Sequence, residues 1–390
     1  MVKTPKLPLY LDYMASTPCL PEVVQAMLPY FSERFHNPQS AHPPGEESLE
    51  AIERARRTLA LLIGAPSPKD LFFTSGATES NNWALKGILQ LPNRRGSHIL
   101  ISQIEHLSIT HPCKSLERQD VTATQVAVDR LGRVSPDAVK KAIRTETALV
   151  SITHASNEVG TLEPIADIAQ VCRKAGVPLH VDASNTVGIV PISVAQLGCD
   201  LMTISPHMFY GPKGIGALYV RRGLRLPPLI EGGTQEEGRR AGTENVPAIV
   251  GLGVACELAL RDMASRARRF TALRDRLISG LRPLKGLHLT GDLANRLPHH
   301  VSCVIDGVES ETILQALALD DQVYAASGTA CSAKAKQPSY VLQALGYSEQ
   351  HASGSLVFSL GLETTENEID YLLDVLPKAI VRVRSLSTNH

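Results

Sequence analysis

Apolar positions along the chain fall into two rhythms. Short, mostly apolar runs at 71–73, 98–102, 148–153, 179–181, 201–204 and 217–220 have strand length. Between them lie longer stretches with apolar residues at helical spacing. In 46–63, Leu49, Ile52, Leu59 and Ile63 share one face with charges between them. Helices are also predicted from Pro21 to about Phe31, over 164–175, and over a long segment, 246–281. The proline-rich stretch 36–45, HNPQSAHPPG, reads as a loop. Strands alternating with helices predict an α/β chain with a largely parallel sheet and helices on both faces. From about Leu287 a new rhythm begins, with a strand at 301–305 and a helix at 309–317. The expected division is a large domain over 20–264 and a smaller one from 1–19 and 265–390.

In such sheets ligands sit at the carboxyl ends of the strands. Thr78, His106, Asn157, Asp182 and Ser205 all fall where a predicted strand ends. That placement predicts one shared site.

Composition narrows the class. The 390 residues are 43% hydrophobic with a formal net charge of zero, so no basic excess points to nucleic acid. Arg266, Arg268, Arg269, Arg274 and Arg276 read as a solvated helix face. No run of about 18 apolar residues suggests a membrane span, and the first residues lack a signal peptide's apolar core. The seven cysteines are an odd number with no Cys-x-x-Cys pair. That argues against a disulfide framework or zinc knuckle, leaves no metal site expected, and fits a reducing cytoplasm.

Three stretches carry candidate chemistry. In DLMTISPHMFYGPKGIGALYV, from Asp200 to Val220, two strands flank a loop with Ser205, His207 and glycines. It reads either as a glycine-turned hairpin or as a loop that brings backbone to an anion. In DLFFTSGATESNN, a turn Ser75-Gly76-Ala77-Thr78 enters a helix. It reads either as a helix capped by Ser75 or Thr78, or as free N–H groups offered to a phosphate. Cys331 lies among small residues, Ser327, Gly328, Ala330 and Ser332, that form no apolar pocket. The other six cysteines read as packing.

From Tyr10 to about Asp370, the chain resembles the NifS/IscS-type cysteine desulfurases of the class V aminotransferase group. LDYMASTP, FTSGATESNN, SNEVG, HVDASNTVG, YGPKGIGALYVRRG, RAGTENVPAIVG, SGTACS and PSYVLQALG follow in that family's order. The resemblance implies the fold type I of pyridoxal phosphate (PLP) transferases: a large domain with a mostly parallel, mixed seven-stranded sheet, a smaller α/β domain, and a homodimer. It implies that Ala77, Thr78, Ser205 and His207 hold the cofactor phosphate, with Thr243 reaching it from the other subunit. His106 would stack on the pyridine ring and serve catalysis. Asp182 would pair with the protonated ring nitrogen, Asn157 and Asn185 would lie beside the cofactor, and Cys331 would take sulfur as a persulfide.

The departures lie in the site. The family loop reads Ser-x-His-Lys-x-x-Gly-Pro-Lys-Gly, and its first lysine forms the Schiff base with PLP. Here that position is Met208, which has no amine. Val357 stands where the family has the arginine that clamps the substrate carboxylate, a bidentate contact that valine cannot imitate. Asn185 stands in place of glutamine and Glu237 in place of arginine. Lys213 is retained, with no reason to give it the imine role. The expectation is weak or absent multiple-turnover desulfuration, with PLP held non-covalently, or pyridoxamine phosphate (PMP) in its place. Three readings follow: a sulfur-relay protein that passes a Cys331 persulfide to an acceptor or scaffold protein, an enzyme acting on another substrate, and a non-catalytic partner of an active desulfurase paralogue.

Overall fold

The computed structural model describes residues 6–91, 96–328 and 338–387. Its strands in chain order are β1 (Leu9–Tyr10), β2 (Leu71–Thr74), β3 (His98–Ser102), β4 (Thr122–Val126), β5 (Thr147–Thr153), β6 (Leu179–Asp182), β7 (Leu201–Ile204) and β8 (Gly216–Val220). Beyond them come β9 (Leu287–Leu289), β10 (His300–Ile305), β11 (Val323–Tyr324) and β12 (Ser355–Ser359). Seven strands form the main sheet in the order β2-β8-β7-β6-β5-β3-β4. Every neighbouring pair without β8 is parallel, and β8 runs antiparallel to both β2 and β7. The carboxyl ends of β2, β3, β5, β6 and β7 therefore share one edge.

The mostly apolar runs are explained by cover on both faces. β3, β5, β6 and β7 are buried at every position. Polar residues inside them are paired across strands. His180 lies between Ser151 Oγ (2.8 Å) and Thr203 Oγ1 (3.0 Å). His98 lies between Thr147 Oγ1 and Thr124 Oγ1, at 2.8 and 2.9 Å.

A second core gathers Leu9 and Leu11 with residues from Phe270 onward, around the antiparallel sheet β12-β10-β9 and the helices Ser310–Asp320 and Glu366–Ser387. The helix Val246–Leu281 joins the two cores. Its first turns, through Ala259, pack in the main core, and Phe270 to Leu281 pack in the second.

Three expectations change in detail. The helix expected from Glu46 begins at Pro43, inside the supposed loop. Proline lacks an N–H, but the first turn of a helix has no partner for one, and His42 Nδ1 accepts from the Gly45 N–H (3.2 Å). The helix from Pro21 stops at Met27, and Pro29 starts a separate short turn, Pro29–Ser32. The arginine face is not uniformly solvated. Arg266 and Arg274 side chains are each only 11% exposed, with Arg266 over the Tyr210 ring and Arg274 reaching the Leu297 carbonyl. Long stems pack apolar atoms while their heads find partners. No helix among the described residues is long and apolar enough to cross a membrane, and among them no group of His, Cys, Asp or Glu is arranged to hold a metal.

Candidate active site

Along the shared edge, Thr78 follows β2, Ser205 follows β7, Asp182 ends β6, Asn157 follows β5 and His106 follows β3. The structure thus brings together the five positions that the strand pattern singled out. Ala77 opens the helix Ala77–Leu89, Asn185 follows Asp182, and His207 and Met208 lie in the single turn Pro206–Met208. Thr243 sits elsewhere, exposed on the loop before Val246.

The helix after β2 begins with Gly76 as its N-cap, not Ser75 or Thr78, and no side chain caps it. Gly76 has φ +153, and a Cβ on Gly216 of β8 would lie 2.7 Å from the Gly76 backbone. Two glycines therefore let the chains close up beside an uncapped helix start, whose N–H groups and dipole favour an anion. Glu79 accepts from the Ser75 N–H (2.8 Å) and pairs with Arg240 (2.9 Å). Burial pushes its carboxyl up, but Arg240 and Ser75 outweigh that and hold it below the usual range.

Asp182 is satisfied by donors. Ser184 N–H and Oγ donate to Oδ1 (3.0 and 2.5 Å), and Asn81 Nδ2 donates to Oδ2 (2.8 Å). The same Asn81 nitrogen donates to Ser108 Oγ (2.8 Å), which in turn meets His106 Nδ1 (2.8 Å). Asn81 Oδ1 is buried without a partner among the described residues, an arrangement that typically costs about 1–3 kcal/mol. Glu105, beside His106, is pushed up to about 8 by burial, with Asp182 adding to it, although Ser102 and Thr153 N–H donate to Oε1.

Met208 is buried and packs in the main core with Ile204, Phe209 and Val187. Its turn is anchored by the N-terminal segment. Thr17 N–H and Oγ1 both donate to the His207 carbonyl (2.9 and 2.8 Å), and Thr17 Oγ1 accepts from the Tyr210 N–H (2.7 Å). Burial lowers the His207 ring, and Lys213 lowers it further. The glycine-rich loop after Gly232 is pinned by Glu236, which takes two bonds from buried Arg56 (both 2.8 Å) and one from the Phe73 N–H. Glu237 beside it is exposed in a left-handed turn (φ 58).

A cavity opens between the two cores, lined by Asp12, Met14, His106, Asn157, Glu158 and Val357, among others. Val357 lies in β12, opposite Ser302 of β10, and is buried. Burial pushes the Asp12 carboxyl up to about 6, against the Ala15 N–H. Glu158 is pushed up to about 8 by burial, although the Ser339 hydroxyl donates to it. No lysine or arginine is among the described lining residues. The turn that carries Asn157 is held from the second core. His300 Nε2 meets the Asn157 carbonyl (2.9 Å), and buried Arg296 donates to the Val159 carbonyl (3.1 Å). Cys331 lies outside the described residues; Gly328 and Ser339, at either side of that segment, line the cavity.

The class-V aminotransferase family model matches residues 9–372. The chain belongs to that family, on its NifS/IscS-type cysteine desulfurase branch. The cysteine desulfurase IscS of Dictyoglomus turgidum is 45% identical over 383 residues, covering 98% of this chain and 97% of that protein. The IscS of Methanosarcina thermophila is 44% identical over 386 residues, covering 99% and 95%. A solved NifS-like protein superposes with a TM-score of 0.89 at 35% identity, covering 96% of this chain and 99% of that one. The architecture is fold type I of the PLP-dependent transferases.

The family implies PLP. An uncapped helix start at Gly76, a carboxylate at Asp182 and an imidazole at His106, all on one edge, fit a phosphate, a ring nitrogen and a ring face. Met208 does not fit a covalent attachment. Asn81, Ser108 and Asp12 escaped the sequence reading. Asn81 had a faint signal, being one helical turn after Thr78 on the same face. Ser108 and Asp12 had none.

Proposed function

We propose that this chain works in sulfur transfer as a cysteine-desulfurase-type protein that holds PLP without a covalent bond and turns over free cysteine weakly or not at all. The observation that carries the reading is Met208, buried in the core at the loop position where an amine is needed. In this reading Ala77, Thr78, Ser205 and His207 hold the phosphate, with Thr243 supplied by the second copy of a homodimer. Asn157 and Asn185 lie beside the cofactor. When bound, the protonated ring supplies an electron sink for charge developing at the substrate's α-carbon. Asp182 keeps the proton on the ring nitrogen, and His106 covers the ring face.

Cys331 is the sulfur carrier. Its thiolate forms an S–S bond as the substrate's C–S bond breaks, the electron pair passes to the substrate carbon, and a proton completes alanine. With slow turnover at this site, an active desulfurase can load the same cysteine instead, by persulfide exchange between thiols. The persulfide then passes to an acceptor or scaffold protein, in the cytoplasm.

A second reading has its own observation. The cavity beside Val357 carries two carboxyls, Asp12 and Glu158, and no cation among its described lining residues. That environment disfavours a free substrate carboxylate and suits PLP or PMP chemistry on another substrate. The test is alanine released from L-cysteine by purified protein with PLP and a reductant, counted per subunit. One alanine or fewer supports the first reading. Many alanines per subunit overturn it, because some group then replaces the lysine.

A further inference from the structure

The hydrogen bonds beneath the ring of His106 have a direction. A backbone N–H can only donate, and the Ser108 N–H lies 3.1 Å from His106 Nδ1. Nδ1 must therefore carry the lone pair, which leaves the proton of the neutral ring on Nε2. The Ser108 hydroxyl is oriented the same way. Its oxygen accepts from Asn81 Nδ2 (2.8 Å), so its hydrogen is free to point at Nδ1, 2.8 Å away. Asn81 is itself oriented. Its nitrogen must face Asp182, because a carboxylate oxygen needs a donor and the Asn81 oxygen cannot be one. The buried Oδ1 of Asn81, without a partner among the described residues, is what this orientation leaves unmet.

We propose that Ser108 and Asn81 are positioning residues that fix His106 as its Nε2–H tautomer, a donor on the side of the ring away from Ser108, through one hydrogen-bond chain anchored on Asp182. His106 lines the cavity. The chain thus joins the carboxylate expected at the cofactor's ring nitrogen to the imidazole expected over its face. His106 in this state donates a hydrogen bond through Nε2 and cannot take a proton there. With Met208 also unable to accept one, removal of a substrate proton is left to some group other than these two. The tautomer stands on the protein's own bonds; its use toward a cofactor rests on the functional reading above.

The experiment is two-bond proton–nitrogen NMR on the imidazoles of histidine-labelled full-length protein without cofactor, with His106→Gln assigning the resonance. A His106 signal with the proton on Nε2 alone supports the proposal. A proton on Nδ1, or an averaged pair of nitrogens, overturns it. Ser108→Ala removes the hydroxyl and leaves the backbone N–H as the one donor holding Nδ1, so a measurable fraction of the Nδ1–H form should appear beside the Nε2–H form. Ser108→Thr, which retains a hydroxyl, should restore the single tautomer. An unchanged His106 signal in Ser108→Ala, with the melting temperature also unchanged, overturns the role of Ser108. Asn81→Leu should likewise loosen the tautomer, and a signal that stays put overturns the chain to Asp182. Added PLP, followed by absorbance, separates the two ideas. Absence of binding beside an intact Nε2–H signal defeats the functional reading alone, whereas binding beside a mixed tautomer defeats this inference alone.

Discussion

The proposed cofactor end and the proposed substrate end of the site differ in how their polar groups are met. At the cofactor end, Asp182, Asn81, Ser108 and His106 form an unbroken series of contacts of 2.8 Å. At the substrate end, Met208 and Val357 are buried hydrocarbon or thioether, and the carboxyls of Asp12 and Glu158 are raised by burial. On the proposed reading, the residues that would tune the ring are hydrogen-bonded polar groups, and the positions where the resemblance expects an amine and a carboxylate clamp are buried and apolar. A buried polar chain of this kind resists piecemeal loss, because removing one member strands the others. An apolar replacement at the cavity strands nothing.

Restoring the substrate end is the largest test of that contrast. Met208→Lys together with Val357→Arg should raise alanine release from cysteine by about 10²–10⁴, the usual worth of a positioned proton-transfer group. No gain with PLP bound would mean that the cofactor end has drifted as well.

Next in size is the pH dependence of stability, which both ends share. His154, His180 and His299 are lowered to about 4 by burial. Their folded forms bind fewer protons than the unfolded chain, so their contribution is full above the ordinary histidine range and is lost as pH falls toward 4. Glu105, Glu158 and Glu163 are raised to about 8 by burial. Their contribution is full below the ordinary carboxylate range and is lost as pH rises through 8. Urea melts should therefore give a maximum near pH ~5.5–6.5, falling by several kcal/mol toward pH ~8.5. A flat profile from pH 6 to 9 would show that the glutamates stay solvated.

Gly160→Ala probes how the second core holds the Asn157 turn. Gly160 has φ +74, and a Cβ there would lie 2.5 Å from His300 Nδ1. A loss of about 1–3 kcal/mol is expected in thermal melts, together with weaker PLP binding. Unchanged binding would mean that the turn does not depend on the second core.

The smallest effect is expected from Asp12→Asn. The Asp12 carboxyl is raised to about 6, so its ionisation weakens the fold as pH rises through that value. The variant should be more stable by on the order of 1 kcal/mol at pH ~8, after allowance for solvent screening, and equal to the parent near pH ~4. Equal stability at both pH values would mean that Asp12 is fully hydrated and that the substrate end is less hostile to charge than proposed.

Much of the fold was legible because burial leaves a period. β5, β6 and β7 are covered on both faces and read as mostly apolar runs of strand length, and Val246–Leu281 read as one helix within its observed bounds. Local rules failed where context reversed them. Pro43 and Pro44 read as loop, yet a first helical turn accepts prolines that its interior would not. Arg266 reads as a surface charge, yet its stem covers Tyr210.

The chain by itself determined which residues could react and where they fall relative to strand ends. Residue type and the step from strand to turn are local properties, so Asp182 and His106 could be placed without coordinates, and the family resemblance alone marked out Met208 and Val357. Tertiary structure alone decided which of those groups touch and in what protonation pattern. Asn81 meets Asp182 from 101 positions away, and Asp12 meets the cavity beside Val357 from the other end of the chain. Hydrogen-bond direction and desolvation depend on what surrounds an atom in space, and no spacing along the backbone encodes that.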